Sequence, residues 1–317
     1  MDTNKRMKKT TLTLILLFLT LVFPAAAQNE LFNKALEQFN AKQYDAAAQT
    51  FVQVIALSPN FYQAHFNLGL CQYNLKRYDQ ALGSFQEAVR IKPDYARANY
   101  WIGNTMVTQN RPADAVPWLQ KAIQFDAAYA PAYYRLGRVY QDQKKYTEAE
   151  PLFKKAIELQ PANADYKVEL GNIYVNLNRF PEAIVVFNDV LKADPSSASG
   201  QLGLGNAYYN DKKYVESVPY YKKASELSPT WVTAHVYLAD AYLNSKQYSL
   251  AITVYQTALK LDAKRVDAHY GIGLTYVNLK NKPMAQLEAA TLRTLDNAKA
   301  DALQKEIDRL LTTPARN

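Results

Sequence analysis

Residues 130–163 read APAYYRLGRVYQDQKKYTEAEPLFKKAIELQPAN, and residues 164–197 read ADYKVELGNIYVNLNRFPEAIVVFNDVLKADPSS. Set one above the other, the two segments agree column by column. Leu136 falls over Leu170, Gly137 over Gly171, Tyr140 over Tyr174, Ala149 over Ala183, Phe153 over Phe187 and Pro161 over Pro195. A constant 34-residue offset of this kind marks stacked supersecondary units that bury a core only together.

The register extends in both directions. Pro59, Pro93, Pro161, Pro195 and Pro229 are spaced by one, two, one and one of these periods, with Ala127 at the skipped beat and Ala263 at the next one. Placing position 32 of a unit on these residues gives eight units: 28–61, 62–95, 96–129, 130–163, 164–197, 198–231, 232–265 and 266–299. Position 8 is Ala35, Gly69, Gly103, Gly137, Gly171, Gly205, Ala239 and Gly273. Position 7 is Leu or Ile after an aberrant Lys34, and position 11 is Tyr140, Tyr174, Tyr208, Tyr242 and Tyr276 in five units. Position 20 is Ala, or Ser217 in unit six, and position 24 is Phe51, Phe85, Leu119, Phe153, Phe187, Tyr221 and Tyr255 before Ala289. The eighth unit departs furthest, with Ala289 for the bulky residue and Asn297 for the proline.

These columns resemble the tetratricopeptide repeat family, whose signature is L-G-x2-Y, then A-x3-F, then P at this period. The resemblance implies an all-α fold, a right-handed α-solenoid of stacked antiparallel helix hairpins. The residues agree with it physically. A mid-helix Gly at position 8 costs about 1 kcal/mol against Ala, which suits a close helix approach. Small residues at 8 and 20 alternate with large ones at 7, 11 and 24, an interlocking pattern. Proline after the second helix ends it. The stack needs polar ends. Lys34 supplies charge at the first unit, and Leu303, Ile307, Leu310 and Leu311 give one apolar stripe on a final helix expected over 300–311, within a capping helix and tail at 300–317.

Residues 1–27 are expected to be a signal peptide. Lys5, Arg6, Lys8 and Lys9 precede the uncharged run Thr11–Phe23, then Pro24 and Ala25–Ala27. That run is short for a bilayer core, which a helix crosses with about 20 residues. No Cys stands directly after the small residues to accept a lipid. Cleavage before Gln28 would deliver the chain outside the cytoplasm, to a periplasmic or other extracytoplasmic space, with membrane contact at most peripheral. From Gln28 on there are 33 basic and 28 acidic residues, a net +5, too mild to point to nucleic acid. Cys71 is the single cysteine, so no internal disulfide forms and packing must supply stability.

Nothing in the sequence carries catalytic chemistry. His65, His235 and His269 all stand at position 4, separated by five periods and by one, which is not metal-ligand spacing; they are expected to pack. Cys71, at position 10, is expected to be a buried structural thiol. Phosphate-loop, nucleophile-elbow and paired-cysteine motifs are absent. The chain is therefore read as no enzyme, with no cofactor and no metal.

The resemblance further implies that first helices line a concave groove with positions 2, 5, 6, 9, 12 and 13. Arg97, Tyr100, Trp101 and Asn104 in unit three, with Tyr134, Arg135 and Arg138 in unit four, form a mixed aromatic and arginine patch of the kind that interfaces use. Local pairing is the competing reading: Arg97 on Trp101, Arg135 to Glu169 and Arg138 to Asp142. Asn172 and Asn206 at position 9 join Asn104 as candidate ligand contacts. Position 13 is mostly Asn, read either as an amide ladder for an extended peptide or as residues easing the helix end. Position 5 holds no basic residue, so the two-carboxylate clamp of chaperone-tail-binding members is not expected. Lysines and arginines recur at the hairpin turns, a basic rim suited to polysaccharide or anionic lipid unless the acids opening the second helices balance it. The expectation is an envelope scaffold that holds a protein or peptide partner. A wall- or lipid-contacting structural protein, or a subunit that positions a separate enzyme, is the alternative.

Overall fold

The computed structural model describes residues 27–312, and side chains to residue 309. The expected signal segment through residue 26, the side chains of the apolar-stripe residues Leu310 and Leu311, and the final Thr313-Pro314 break lie outside what is described. Within these residues there are seventeen helices and no strand.

The chain divides into two units, one ending at Gln160 and one starting at Pro161. The first holds four hairpins: α1 (27–40) with α2 (Tyr44–Leu57), α3 (Tyr62–Asn74) with α4 (Tyr78–Ile91), α5 (Ala96–Thr108) with α6 (Pro112–Phe125), and α7 (Ala130–Asp142) with α8 (Tyr146–Leu159). The second holds α9 (Ala164–Asn176) with α10 (Phe180–Ala193), α11 (Ala198–Asn210) with α12 (Tyr214–Leu227), α13 (Val232–Asn244) with α14 (Tyr248–Leu261), and α15 (Val266–Asn278) with α16 (Lys282–Leu295), closed by α17 (Asn297–Thr312). From α3 on, every first helix starts at position 1 of the 34-residue register. Within each unit a hairpin's second helix packs on the next hairpin's first helix.

Each of the eight hairpin turns closes the same way. Position 15 (Lys42, Lys76, Asn110, Lys144, Asn178, Lys212, Lys246, Lys280) has a φ near +60°. Its N–H reaches back three residues, and the next N–H reaches back five, as in Lys144 N to Gln141 O (2.8 Å) and Lys145 N to Tyr140 O (2.8 Å). This is a Schellman ending, built on lysine and asparagine where glycine would be unstrained.

Position 24 is the keystone of each hairpin. Phe51, Phe85, Leu119, Phe153, Phe187, Tyr221 and Tyr255 are all buried. A Cβ on Gly69 would stand 2.5 Å from the Phe85 ring, so only glycine admits this approach. In the eighth unit Ala289 leaves the seat empty and Leu303 of α17 takes it: a Cβ on Gly273 would collide with the Leu303 side chain. The eighth hairpin is thus complete, and its closing helix begins at Asn297, not at residue 300 as expected, running on directly after Asp296.

Candidate functional site

First helices lie beside one another within each unit; α5 touches α7, and α9 touches α11. On α5, Arg97 and Trp101, and Tyr100 and Asn104, stand four residues apart, and on α7 Tyr134 and Arg138 do the same, so each of these pairs shares a face.

The structure gives these residues different tasks. Trp101 is half-buried, stacked on Phe85 (6.1 Å between centroids, 25°) and edge-on to Tyr73 (5.0 Å) and Tyr100 (5.7 Å). It is a wall, not a free anchor. Arg97 is exposed, with its guanidinium close enough to Tyr129 to act on that hydroxyl electrostatically. Burial pushes Tyr129 up, and the guanidinium opposes it. Tyr100 meets Tyr129 edge-on (5.2 Å), and Tyr134 meets Phe153 (5.8 Å). Arg135 is half-buried, and its Nε–H has neither solvent exposure nor an acceptor.

The candidate asparagines are largely committed inside the fold. Asn104 is buried and donates to the Tyr73 hydroxyl (3.2 Å). Asn206 accepts from the Tyr221 hydroxyl (2.9 Å). Asn172 donates to Glu169 (3.3 Å). At position 13, Asn74, Asn176, Asn210, Asn244 and Asn278 each donate to the carbonyl one turn earlier, all at 2.8 Å. The helix-end reading of that column is what the geometry supports.

The histidines do more than pack. His65 and His235 donate from Nε2 to the carbonyls of Pro59 (2.8 Å) and Pro229 (2.9 Å), and His269 lies 3.2 Å from the Ala263 carbonyl and 2.8 Å from the Glu288 carboxylate. Asn99 and Tyr133, also at position 4, donate to the carbonyls of Pro93 and Ala127. Position 4 therefore ties each of these first helices to the turn before it. A column of His, Asn and Tyr four positions into the helix was the available signal. Nothing in the sequence signalled that position 12 reaches the next unit: Tyr73 bonds Thr108 (3.0 Å), and Asn244 donates to Tyr209 (2.8 Å).

Cys71 is fully buried, and burial pushes its thiol up to about 12. On the basic rim, Arg77 pairs with Asp45, Arg111 with Asp114 and Arg179 with Glu182, all acids of second helices, and Lys213 pairs with Asp211 of its own turn, at 2.7–2.9 Å, so part of the rim is balanced. Among the described residues no helix is long and apolar enough to cross a membrane.

Known proteins agree with this architecture. Tetratricopeptide repeat models match residues 32–96, 75–138, 140–206 and 198–230, and a TPR repeat model matches 239–280. A tetratricopeptide repeat protein from Parabacteroides merdae superposes with a TM-score of 0.65 at 14% identity, over 78% of this chain and 98% of that one. The APC/C hetero-tetramer Cut9–Hcn1 gives 0.62 at 16% identity, over 87% of this chain; the match spans 55% of the other chain's length. No curated protein matches in sequence. With repeat models matching from residue 32 to residue 280 and helix pairs stacked within each unit, the chain belongs to the tetratricopeptide repeat family, all-α superhelical scaffolds for protein–protein interaction.

Proposed function

We propose that this chain is an exported, non-enzymatic scaffold of the cell envelope that holds an extended segment of a protein partner against its first helices. One observation carries the reading. Tyr100 and Tyr134 occupy the same repeat position on the adjoining helices α5 and α7, half-buried, with Arg97 and Arg135 beside them. Rigid aromatic side chains next to arginine are what concentrates binding energy at interfaces. The absence of chemistry in the proposal is supported by the commitments of the reactive side chains. The histidines are engaged with backbone carbonyls, and the only thiol is buried and held protonated. Export rests on the basic, apolar and small-residue order of residues 5–27.

Affinity capture from an envelope extract tests the binding reading. The chain is expected to retain a partner that is lost when Tyr100→Ala and Tyr134→Ala are combined. Retention at full yield would sink it. N-terminal sequencing of the exported protein should begin at Gln28; a chain still carrying Met1 in the cytoplasm would remove the envelope from the proposal.

A further inference from the structure

We infer that Tyr208 and Tyr220 are an oxidative cross-linking site, at which a peroxide-driven one-electron oxidant joins the two phenols carbon to carbon and staples α11 to α12. The site lies within one hairpin and is independent of the partner-holding reading above.

Position 11 is tyrosine from unit four onward, and in units four and five the turn that follows covers its ring with a cation. The Lys145 ammonium stands over the Tyr140 ring, 5.8 Å from its centroid, and the Arg179 guanidinium over Tyr174 at 4.4 Å. Both cations occupy position 16. Unit six departs from this on both sides. Its position 16 residue, Lys213, pairs with Asp211 (2.7 Å). The Tyr208 ring lies instead against Tyr220 of α12, with centroids 5.3 Å apart and planes 3° from parallel. Tyr220 stands at position 23, which holds no tyrosine in any other unit, so this pair of positions brings two phenols together in unit six alone.

Parallel faces are what phenol coupling requires. A tyrosine that loses an electron and its hydroxyl proton becomes a phenoxyl radical, with unpaired spin partly on Cε1 and Cε2, in p orbitals perpendicular to the ring. A bond between two such carbons therefore grows from face to face. Rings met edge-on present a C–H to the partner's face, as Tyr62 does with Tyr95 at 73°, Tyr100 with Tyr129 at 89° and Tyr209 with Tyr214 at 65°. Burial first, and then the Tyr208 hydroxyl, push the Tyr220 phenol up. The two hydroxyl ends thus lie together, and the neighbouring Cε atoms with them. Both side chains are half-buried, which leaves part of each within reach of an oxidant. Reactants held in this way couple as an effectively unimolecular step.

The step balances as two phenols and one hydrogen peroxide giving one linked biphenol and two waters. Each tyrosine gives up one electron and its hydroxyl proton. The peroxide takes both electrons and both protons, and its O–O bond breaks. The Cε–Cε bond forms, and the hydrogen on each joined carbon moves to the oxygen of its own ring, restoring both hydroxyls. Cys71 is the single cysteine, so no internal disulfide serves this chain as a staple. A bond between residues 208 and 220 closes a short loop and narrows the unfolded ensemble as a disulfide would.

Treating the purified chain with hydrogen peroxide and a haem peroxidase tests the site. Trypsin cuts after Lys212 and Lys213, so the two tyrosines leave on separate peptides unless they are joined. The expected product is a linked pair of those peptides, lighter than their sum by two hydrogens, with fragment ions placing the bond between Tyr208 and Tyr220. Dityrosine emission should appear with a yield independent of protein concentration. Tyr220→Phe, which keeps the ring, should lower that emission about tenfold, while Tyr209→Phe and Tyr214→Phe leave it unchanged. Hydrogen exchange in α11 and α12 should slow at least about tenfold once the bond is made. If Tyr220→Phe misfolds, the peptide map of the unaltered chain decides. A bond mapped from Tyr209 to Tyr214 or Tyr221, cross-links only between separate chains, or no dityrosine at all would overturn the inference.

Discussion

The Tyr255 hydroxyl donates to Oδ1 of Asp240, fifteen residues earlier on the facing helix of the same hairpin. One unit upstream the same two positions hold Tyr221 and Asn206, in the same bond. The difference is a buried charge. Burial raises Asp240 to about 6, with Asp267 adding in the same direction and the Tyr255 hydrogen bond opposing both. A carboxyl whose folded pKa exceeds its unfolded value of ~3.9 favours folding most below that value, and the contribution is lost as pH rises through the folded pKa. Stability of the α13–α14 hairpin should therefore fall between about pH 4 and pH 6 on account of this group. Asp240→Asn, which copies Asn206, should remove that slope and raise stability at pH 7 by on the order of 1 kcal/mol. Tyr255→Phe should lower it by about 1–3 kcal/mol by stripping the carboxylate of its donor. Thermal unfolding of the three proteins from pH 4 to pH 8 checks all of this; an unchanged pH profile for Asp240→Asn would refute it.

Leu303 stands in for the side chain that Ala289 lacks. It fills the seat over Gly273 from a helix outside the repeat. Leu303→Ala should cost about 2–5 kcal/mol, felt locally because each hairpin contacts only its neighbours. Hydrogen exchange should accelerate in α15–α17 and stay unchanged in α9–α12. Ala289→Phe alone should also destabilise, since two side chains would compete for one seat. Combined with Leu303→Ala it should recover part of the loss, by restoring the arrangement of Gly69 and Phe85. Additive losses in the double variant would show that Leu303 does not hold that seat.

How far the sequence carried depended on whether a residue's role repeats. Glycine at position 8 and a bulky residue at position 24 recur in most units, so their contact was readable as spacing, and every hairpin lies where the 34-residue period put it. Roles that arise between units left a weaker trace. His65, Asn99 and Tyr133 do one job with three side chains, reaching back to a turn carbonyl, so no column of identical residues announced it. Trp101 and Asn104 looked like ligand contacts because their positions face inward; their neighbours Phe85 and Tyr73, one unit away, engage them instead. Arg135 stood out in sequence as one arginine among several. Only the packing showed that its Nε–H lacks an acceptor.

Lysine at a φ of +58° in Lys144 carries a steric penalty that glycine would not. Lys144→Gly should stabilise the first unit by up to about 1 kcal/mol, offset in part by the greater freedom glycine gives the unfolded chain. Lys144→Val, with a branched Cβ at the same φ, should destabilise by more than about 1 kcal/mol. Chemical denaturation midpoints order the three proteins. If valine proved as stable as lysine, the left-handed turn would not persist in solution.

Cys71 offers a readout of opening at the start of the first unit. The thiol has no exposed surface, is packed with Ala64 and Leu68, and is pushed up to about 12 by burial. The thiolate is the reactive form, so the folded chain should resist alkylation at pH 8 far longer than a free thiol does. Reaction should then proceed at the rate at which α1–α4 open. Phe51→Ala, which empties the keystone seat of the first hairpin, should speed alkylation several-fold or more; Leu303→Ala, at the other end of the chain, should leave the rate unchanged. Equal acceleration by both variants would mean that the chain opens as a single cooperative block.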